Sequence, residues 1–513
     1  MPQDIAENEP LLKKTDGSRV LVREISSSSA DTQRASETRG RPKTPSTPLP
    51  LKQLFVLGLV RLAEPINFTL IFPFVNQMMV DLKVTEESSE IGFYSGLVDS
   101  CFAVAQCCTI LQWGRLSDRV GRRPVIFIGL LGSIISVFFF GHSKNLAWAL
   151  TSRSIAGALS GNVAVVQSIL SEITDSTNEA KAMPLNSLTW NLGCIIGPII
   201  GGNLLYPAKR WPNTPLDNAW FREFPYALPC AVGASIGLAA LTLAYTSLQE
   251  TRWKKHTLKS NVVTVIASRE ASHNPNPSQV ESLRSTPKKT TVRDILAYPP
   301  LRDTIMAGFL QSILATGYDV VFALVCFSPI SLGGFSRSPA EIGYAFAFGG
   351  LLSLLILPFG LPSLQRRYGT VSLYYGLSMF WPFIYLMFPL LNMIVRHFVI
   401  DEENCTLSIE GTYVLWTGIA VLILMTRITS MSFSLNIMLV KAAAPDKEML
   451  GSTFGVSQTI ACIARAIGPI LASSLFAASV DRQILGGNAV WLVMASIGLW
   501  GFLQARSLYC HNL

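Results

Sequence analysis

The stretch Gly114-Arg115-Leu116-Ser117-Asp118-Arg119-Val120-Gly121-Arg122-Arg123-Pro124 lies between two long apolar runs. Its four arginines favour a cytosolic position, because short cytosolic loops of membrane proteins are rich in basic residues. Glycine permits a tight turn and proline suits the first turn of a helix, so the stretch can reverse the chain between two helices. It therefore predicts a cytosolic loop between two transmembrane helices.

The composition of the whole chain also places it in a lipid bilayer. Half of its 513 residues are hydrophobic and only 14% are charged, which exceeds the apolar content of an ordinary soluble domain. The formal net charge of +8 would suit a nucleic-acid-binding protein. However, the basic residues cluster beside apolar segments and in polar linkers, where they orient helices and meet anionic lipid. The chain is therefore interpreted as a membrane protein without a nucleic-acid partner.

Twelve apolar segments are long enough to cross a bilayer, which takes about 20 residues each. They lie at residues 53–78, 92–113, 124–142, 146–170, 184–206, 226–248, 304–330, 341–362, 371–395, 412–440, 451–478 and 489–508. Polar composition predicts a disordered cytosolic tail at 1–50, a flexible cytosolic linker at 249–303 and a cytosolic C-terminus at 509–513. The predicted fold is an all-α polytopic membrane protein with six-helix bundles at 51–248 and 304–508.

The distribution of charge between the segments sets the orientation. With both termini in the cytosol, basic loops follow the second, sixth and eighth spans on the cytosolic side, and acidic loops face outward. This orientation exposes the sequon Asn404-Cys405-Thr406, so Asn404 is a candidate glycosylation site. The nine cysteines form no CxxC pattern or Cys/His cluster, and no metal site or other cofactor is predicted.

The two halves of the chain resemble each other. Arg153 precedes Asn162 by nine positions in the fourth span, and Arg427 precedes Asn436 by nine in the tenth. A Gly-Pro-Ile sequence occurs in both the fifth and the eleventh span. Together with the six-plus-six layout, these pairs indicate two pseudo-symmetric bundles, as in transporters built from repeats.

Ionisable residues within the apolar segments are candidates for transport, because a charge in hydrocarbon normally faces a polar cavity or a partner. Arg61 and Glu64 share one helical face, and a purely structural ion pair between them is an equal alternative. A structural role is slightly favoured for Asp99. Asp319 has no sequence-local partner and is the preferred carboxylate for protonation or for pairing with a substrate amine. The predicted substrate and proton pathway comprises Arg61, Glu64, Asp99, Arg153, Asn162, Asp319, Arg427, Asn436 and Arg465.

The order G-x-L-S-D-R-x-G-R-R-P resembles the loop that joins helices 2 and 3 of the major facilitator superfamily. The resemblance extends over residues 51–509 outside the linker and implies two domains that rock about a midplane cavity. It implies that Asp118 meets the positive end of a helix from the other domain, and that Arg122 or Arg123 pairs with a cytosolic carboxylate. The gating residues that it implies are Gly114, Asp118, Arg119, Gly121, Arg122 and Arg123.

The fifth span contains the order G-x-x-x-G-P-x-x-G-G, which resembles the fifth-helix motif of antiporters in this superfamily. Its residues are Gly193, Gly197, Pro198, Gly201 and Gly202. Close helix packing is the alternative interpretation, because small residues let helix backbones approach and proline bends a helix. Residues 153–157 similarly resemble the fourth-helix motif that is linked to proton transfer in these families.

Other stretches resemble particular branches of the superfamily. Residues 224–230, 248–251 and 464–469 are similar to fungal members related to tetracycline exporters and zinc-induced-facilitator-like carriers. Residues 64–66 and 73–77 are similar to carriers associated with psilocybin biosynthesis in mushrooms, which implies a tryptamine-type indole amine as a substrate. Candidates for aromatic stacking or cation–π contact with such a substrate are Trp190, Tyr318, Trp381 and Trp416.

The predicted function is a proton-coupled antiporter that exports a small amphipathic or cationic metabolite or drug. Its predicted partners are that substrate, protons and the lipid bilayer, and it is expected to be a monomer. The alternatives are an uptake carrier for a nutrient or metal chelate and a non-transporting, transporter-like sensor. No Walker loop, HExxH motif or catalytic triad occurs, so neither an enzyme nor any catalytic residue is predicted. The plasma membrane is the expected location, with an acidic dileucine pattern at 7–12 as the argument for a vacuolar or endosomal membrane.

Overall fold

Long apolar runs form helices in this chain because a helix satisfies its backbone hydrogen bonds internally, as lipid surroundings require. The computed structural model describes residues 50–87, 90–173, 184–250, 297–401, 406–444 and 450–510. Helices in these residues form twelve spans, six on each side of the linker. The predicted tail, most of the linker and Asn404 lie outside the described residues.

The first six spans are contiguous in sequence apart from short connections. In chain order they are Leu51–Thr69 continued by Val75–Asp81, Ile91–Val120, Arg122–Gly141, Leu146–Leu159 continued by Asn162–Ile173, Pro184–Asn203, and Ala227–Ser247. The outer connection between the fifth and sixth spans holds two short helices, Pro207–Arg210 and Ala219–Glu223.

The last six spans repeat this layout. They are Pro299–Phe327, Pro339–Tyr368, Thr370–Ser378 continued by Phe380–Arg396, Ile409–Ala443, Leu450–Asp481, and Ala489–Cys510. A 3₁₀ turn at Ile330–Leu332 follows the seventh span. Strands Val399–Asp401 (β1) and Thr406–Leu407 (β2) pair antiparallel between the ninth and tenth. The predicted all-α fold with two six-helix bundles is confirmed, and this small hairpin lies outside the spans.

The predicted loop at 114–124 is mostly helical. The second span continues to Val120 and the third begins at Arg122, so Gly121 alone separates the two helices. Gly121 has a φ of +113°, which side-chain-bearing residues rarely adopt. The seventh span likewise begins at Pro299, ahead of the predicted 304. The helices thus extend beyond the predicted apolar segments, because apolar composition marks only the part of a helix that suits the bilayer.

Nine helices in the described parts of the chain are long and apolar enough to cross a membrane by themselves. The first, fourth and fifth spans do not meet those criteria. The first is interrupted after Thr69 and the fourth after Leu159. The two interrupted spans of the first half carry Arg61, Glu64 and Arg153, and the ninth span of the second half is interrupted as well, at Met379.

The apolar core joins the two halves on the outer side only. One continuous cluster of buried side chains there includes Phe74 of the first span and Phe322 of the seventh. The rings of Phe72 and Phe346 also meet across the halves, with centroids 5.8 Å apart. Toward the cytosol the described buried side chains form separate clusters, two in the first half and two in the second. The apolar core is thus continuous across the halves on the outer side and separate toward the cytosol, which is the pattern expected of an inward-facing state.

Candidate functional site

Asp319 occupies the boundary between the two halves. The Oδ1 atom of Asp319 lies 3.9 Å from Nη2 of Arg427, and the two side chains are 39% and 20% exposed. Arg427 packs against Gly349 of the eighth span, and the next residue, Gly350, packs against Asn191 and Cys194 of the fifth span, which belongs to the other half. A separation of 3.9 Å exceeds a hydrogen-bond distance, so the attraction is purely Coulombic. Asp319 is thus a half-exposed carboxylate with a loose ionic partner.

Asp99 and Arg153 form a tighter pair inside the first half. Nη2 of Arg153 donates to Oδ1 of Asp99 at 3.3 Å, and the side chains are 6% and 13% exposed. The guanidinium carbon also lies 4.8 Å from the ring centroid of Phe102 and 5.7 Å from that of Phe68. Sequence reasoning proposed no partner for Asp99, because the pair joins the second span to the fourth.

Arg61 and Glu64 form the ion pair that their spacing predicts. Ser160 donates to Oε1 of Glu64 at 3.0 Å, and Gln106 donates to Oγ of Ser160 at 3.0 Å. Sequence reasoning missed Ser160 and Gln106. The Ser160-Gly161 sequence within an apolar run could have indicated a break in the fourth span, because the helix is interrupted at these two residues.

Three other predicted pathway residues lie apart from Asp319. Asn162 packs against Gly129 of the third span, and Nδ2 of Asn436 donates to the backbone oxygen of Thr304 at 3.1 Å. Nη2 of Arg465 is 2.9 Å from the sulfur of Cys462 on its own helix. In the described structure these three residues therefore make contacts that stabilise the packing or the local structure of helices.

The four candidate aromatic residues differ in exposure. Tyr318 and Trp381 are buried in the core of the second half, and Trp416 packs against the same core. Trp190 is 37% exposed, and its ring centroid lies 5.9 Å from that of Phe68. Trp190 is thus the most exposed of the four.

The basic turn after the second span is held by two glutamates. Nη2 of Arg122 pairs with Oε1 of Glu172 at 2.9 Å, which is the kind of carboxylate contact that the resemblance implied. The carboxylate of Glu250 accepts the backbone N–H groups of Arg122 and Arg123, each at 3.0 Å. Glu250 thereby caps the third span from the end of the sixth. The side chain of Asp118 lies outside the described part of the structure.

The fifth-span motif packs closely on two neighbouring helices. A Cβ added at Gly197 would lie 2.7 Å from the backbone oxygen of Ile66, and one added at Gly202 would lie 2.6 Å from that of Pro339. A Cβ added at Gly193 would likewise collide with Pro65, and one added at Gly201 would collide with Leu70. The motif therefore brings the fifth span against the first and, across the halves, the eighth.

The outer face of the first half contains a cavity of about 1200 Å³. The sequence analysis did not predict this cavity. Tyr206 and Tyr226 both donate to Oδ2 of Asp81 at its edge, at 2.5 and 2.6 Å. Burial and the hydrogen bond to Asp81 raise the pKa of the Tyr206 hydroxyl. Arg222 donates to Asp217 in the same connection and holds the pKa of that carboxyl below its usual range. These contacts order the outer connection between the fifth and sixth spans.

Comparisons with known proteins identify the family. The model of the Major Facilitator Superfamily matches residues 57–469. The chain is 34% identical over 482 residues to the major facilitator-type transporter psiT2 of Psilocybe cyanescens, covering 90% of this chain and 91% of that protein. It is 26% identical to the multidrug transporter mfsB of Aspergillus fumigatus, covering 89% and 84% of the two chains. The crystal structure of a D-xylose–proton symporter shares its fold with a TM-score of 0.64 at 14% identity, covering 89% of this chain and 97% of that one. The resemblance inferred from the motifs is confirmed, and the chain belongs to the major facilitator superfamily of transporters.

Proposed function

We propose that this protein is a proton-coupled antiporter that exports a small amphipathic or cationic metabolite by alternating access. The observation that carries the proposal is the half-exposed Asp319 carboxylate, 3.9 Å from Arg427 at the boundary between the halves. A substrate that binds there meets both halves at once, so its binding can favour one arrangement of the halves over the other.

Asp319 suits a cationic group for two physical reasons. Its interaction with Arg427 is too long to be a hydrogen bond, which leaves the carboxylate charge available to attract the cationic group of a substrate. The low dielectric of the membrane interior also strengthens the attraction between a carboxylate and a cation. The same oxygens can take a proton in the absence of substrate, so amine and proton compete for one group.

The substrate class that we propose is a tryptamine-type indole amine. Trp190 offers a partly exposed indole on the fifth span, beside Phe68 of the first. Arg427, the ionic partner of Asp319, packs against Gly349, and the adjacent Gly350 packs against Asn191, the residue after Trp190. An aromatic face and a carboxylate therefore border the same region. The relatives of this chain include the multidrug transporter mfsB of Aspergillus fumigatus and the efflux pump azaK of Aspergillus niger, which supports export as the direction.

The cycle that we propose uses the motifs as mobile contacts between two rocking bundles, 51–248 and 304–508. In the inward-facing state the fifth span packs against the eighth through Gly202. Asp118 would stabilise the state that is closed toward the cytosol by meeting a helix end of the other bundle. The Arg122–Glu172 pair lies within the first bundle and would hold the turn in both states, with the linker at 249–303 joining the bundles. We further propose that the protein is a monomer in the plasma membrane and has no catalytic activity.

Exchange across liposome membranes tests this function. The purified protein is reconstituted and supplied with radiolabelled N,N,N-trimethyltryptammonium, a permanently charged tryptamine that does not cross lipid unaided. We expect exchange of labelled for unlabelled compound, and accumulation when the interior is more acidic. Asp319→Asn should lower exchange about tenfold or more, which corresponds to roughly 1.4 kcal/mol of lost binding.

The matched control is Asp303→Asn, the same change on the same helix near its cytosolic start, where Asp303 pairs with Arg302. It should leave exchange unchanged. Equal exchange by the Asp319 variant and the natural protein, with no effect of the pH gradient, would rule out the proposal. An uptake carrier would instead accumulate the compound in whole cells, and a sensor would show no exchange at all.

A further inference from the structure

A small cavity lies at the outer end of the second half. It has a volume of about 130 Å³ and lies between the turn after the seventh span, the end of the ninth span and the turn after the eleventh. An engineered protein cavity of about 150 Å³ binds a benzene molecule, so a small organic ligand fits a cavity of this size. Neither Asp319 nor Arg427 is among the lining residues, and the cavity is therefore distinct from the site proposed for the substrate.

The guanidinium group of Arg396 lines this cavity and is held in place. Its Nε donates to Oδ1 of Asn392 at 2.8 Å, and its Nη2 donates to the backbone oxygen of Ser331 at 3.1 Å. Asn392 is only 5% exposed, and its Nδ2 donates to the backbone oxygens of Ile330 and Gly334 at 3.2 and 2.8 Å. Arg396 is thus positioned by a side chain that is itself fixed.

The charge of Arg396 is not balanced by a carboxylate within the described residues. No acidic residue is among those that line the cavity, and Arg396 forms no ion pair in the described part of the chain. A guanidinium has five N–H groups, of which Arg396 uses two in the hydrogen bonds above. The other three include one on each terminal nitrogen, and such a pair can bind both oxygens of a carboxylate. The cavity therefore offers a positive charge and free donors to an anion.

The rest of the lining is largely apolar and includes two aromatic rings. Trp491 and Phe476 are each 3% exposed, and their ring centroids lie 6.0 Å apart. Trp491 also stacks on Phe388 with a centroid distance of 4.8 Å, which fixes the position of its indole ring. Val480 adds an aliphatic side chain beside the rings. A ligand that fills this cavity thus needs an apolar body as well as an anionic group.

The turn at 483–487 supplies part of the cavity wall in a backbone conformation that is costly. Gln483 and Leu485 have φ values of +48° and +55°, which residues with side chains rarely adopt. Gly486 and Gly487 follow with +65° and +81°. Such conformations persist where the surrounding structure holds them, and they are frequent at ligand-binding sites. The turn therefore supports the interpretation of this cavity as a binding site.

We propose that the cavity binds a small amphipathic carboxylate from the outer side of the membrane. The carboxylate lies on Arg396, and the apolar body of the ligand packs against Trp491 and Phe476. This inference goes beyond the proposed function, because the site lies within one half and away from Asp319. Binding is expected whether or not the protein exchanges N,N,N-trimethyltryptammonium, so the two proposals can fail separately.

Binding of 4-fluorobenzoate to the purified full chain in detergent tests the site. Fluorine NMR measures the dissociation constant, because the bound ligand relaxes faster than the free ligand. We expect saturable binding that unlabelled benzoate displaces. The neutral 4-fluorobenzamide has nearly the same shape and should bind at least about tenfold more weakly, since it loses the charge-assisted contact with Arg396. Acetate should displace the ligand only at about tenfold higher concentration than benzoate or more, because it leaves the aromatic rings uncovered.

Variants of two arginines locate the binding. Arg396→Gln should weaken binding of 4-fluorobenzoate about tenfold or more. Arg396→Lys keeps the charge without the paired donors, so it should bind with intermediate affinity. The matched control is Arg482→Gln, which removes an arginine at the turn after the eleventh span that does not line the cavity. This control should bind as tightly as the natural protein, and thermal unfolding shows whether each variant is folded.

The carboxylates of the chain itself are the competing occupants of the cavity. Asp401, Glu402 and Glu403 follow Arg396 in the sequence, and their side chains lie outside the described structure. A triple variant with Asp401→Asn, Glu402→Gln and Glu403→Gln should bind 4-fluorobenzoate as the natural protein does. Binding that occurs only in the triple variant would overturn the proposal, because these side chains would then fill the site. Equal binding of the benzoate and the benzamide, or an Arg396→Gln variant that binds as before, would overturn it as well.

Discussion

The two halves of the molecule place an arginine at equivalent points of their fourth and tenth spans, yet they use it differently. Arg153 is 6% exposed and hydrogen-bonded to Asp99 at 3.3 Å. Arg427 is 20% exposed and 3.9 Å from Asp319, which is itself 39% exposed. The first pair is a closed contact within one half, whereas the second is longer and more exposed. The corresponding arginines of the two halves thus differ in how tightly a carboxylate holds them.

Helix packing is the part of the repeat that both halves retain. Gly197 packs against Thr69 of the first span, and Gly468 packs against Thr316 of the seventh. Counting back five residues from each threonine reaches Glu64 and Gln311, and eight residues reaches Arg61 and Gly308. The backbone contacts of the two halves therefore correspond, while the buried ion pair of the first half has become an amide and a glycine in the second.

The turns after the second and eighth spans show the same divergence. Gly121 and Gly369 both have positive φ values, +113° and +79°. A Cβ at Gly121 would lie 2.8 Å from Oε2 of Glu250, whereas one at Gly369 would meet nothing within 4 Å. The first turn is tied to the end of the sixth span, and the second has no such contact at this position.

The largest difference in stability is expected between the two aspartates. Asp99→Asn leaves the buried Arg153 without its ionic partner, so it should lower the free energy of unfolding by about 3–5 kcal/mol. Asp319→Asn acts on a partly exposed and loosely paired group, so its cost should stay below about 1 kcal/mol. Thermal unfolding of the purified variants in detergent compares them. Equal losses would mean that the two pairs are structurally equivalent, and the contrast between halves would fail.

Substitution of the two turn glycines should give a smaller difference. Gly121→Ala and Gly369→Ala should each cost about 1–3 kcal/mol, because both backbones lie in a region that only glycine populates readily. Gly121→Ala should cost about 1 kcal/mol more, since Glu250 must retreat and leave the start of the third span uncapped. The same unfolding measurement applies. In the background of Glu250→Ala that excess should vanish, and its persistence would show that Glu250 is not its cause.

The sequence predicts the spans and the family because both depend on local patterns. Apolar length marks each span, and the basic motif after the second span marks the family. The Arg61–Glu64 pair is also local, since residues three apart share a helical face. The Asp99–Arg153 pair joins separate helices, and spacing within one chain segment carries no record of it. The helical ends beyond the bilayer were missed because polar residues form helix there as readily as loop.

The polar residues around Glu64 were the hardest to predict. Asn67, Gln106 and Ser136 carry no charge, and small polar residues occur throughout membrane helices as packing or backbone-bonding groups. Asn67 and Ser136 line a small cavity of about 40 Å³ beside Glu64, and Gln106 donates to Ser160, which also lines it, so only the folded structure brings these residues together. A charged residue in an apolar run can thus be recognised from sequence, whereas its uncharged neighbours need the folded structure.

The smallest expected effect compares the two serines that serve corresponding side chains. Ser160 donates to the charged Glu64, whereas Ser432 accepts from the neutral Gln311. A hydrogen bond to a charged group contributes about 1.5–3 kcal/mol, and a neutral one about 0.5–1.5 kcal/mol. Ser160→Ala should therefore lower the free energy of unfolding by about 1 kcal/mol more than Ser432→Ala. The excess should shrink in the background of Glu64→Gln, which makes both sites neutral. If Ser160→Ala still costs about 1 kcal/mol more than Ser432→Ala in that background, the difference arises from packing. The charge of Glu64 would then not explain how the two positions differ.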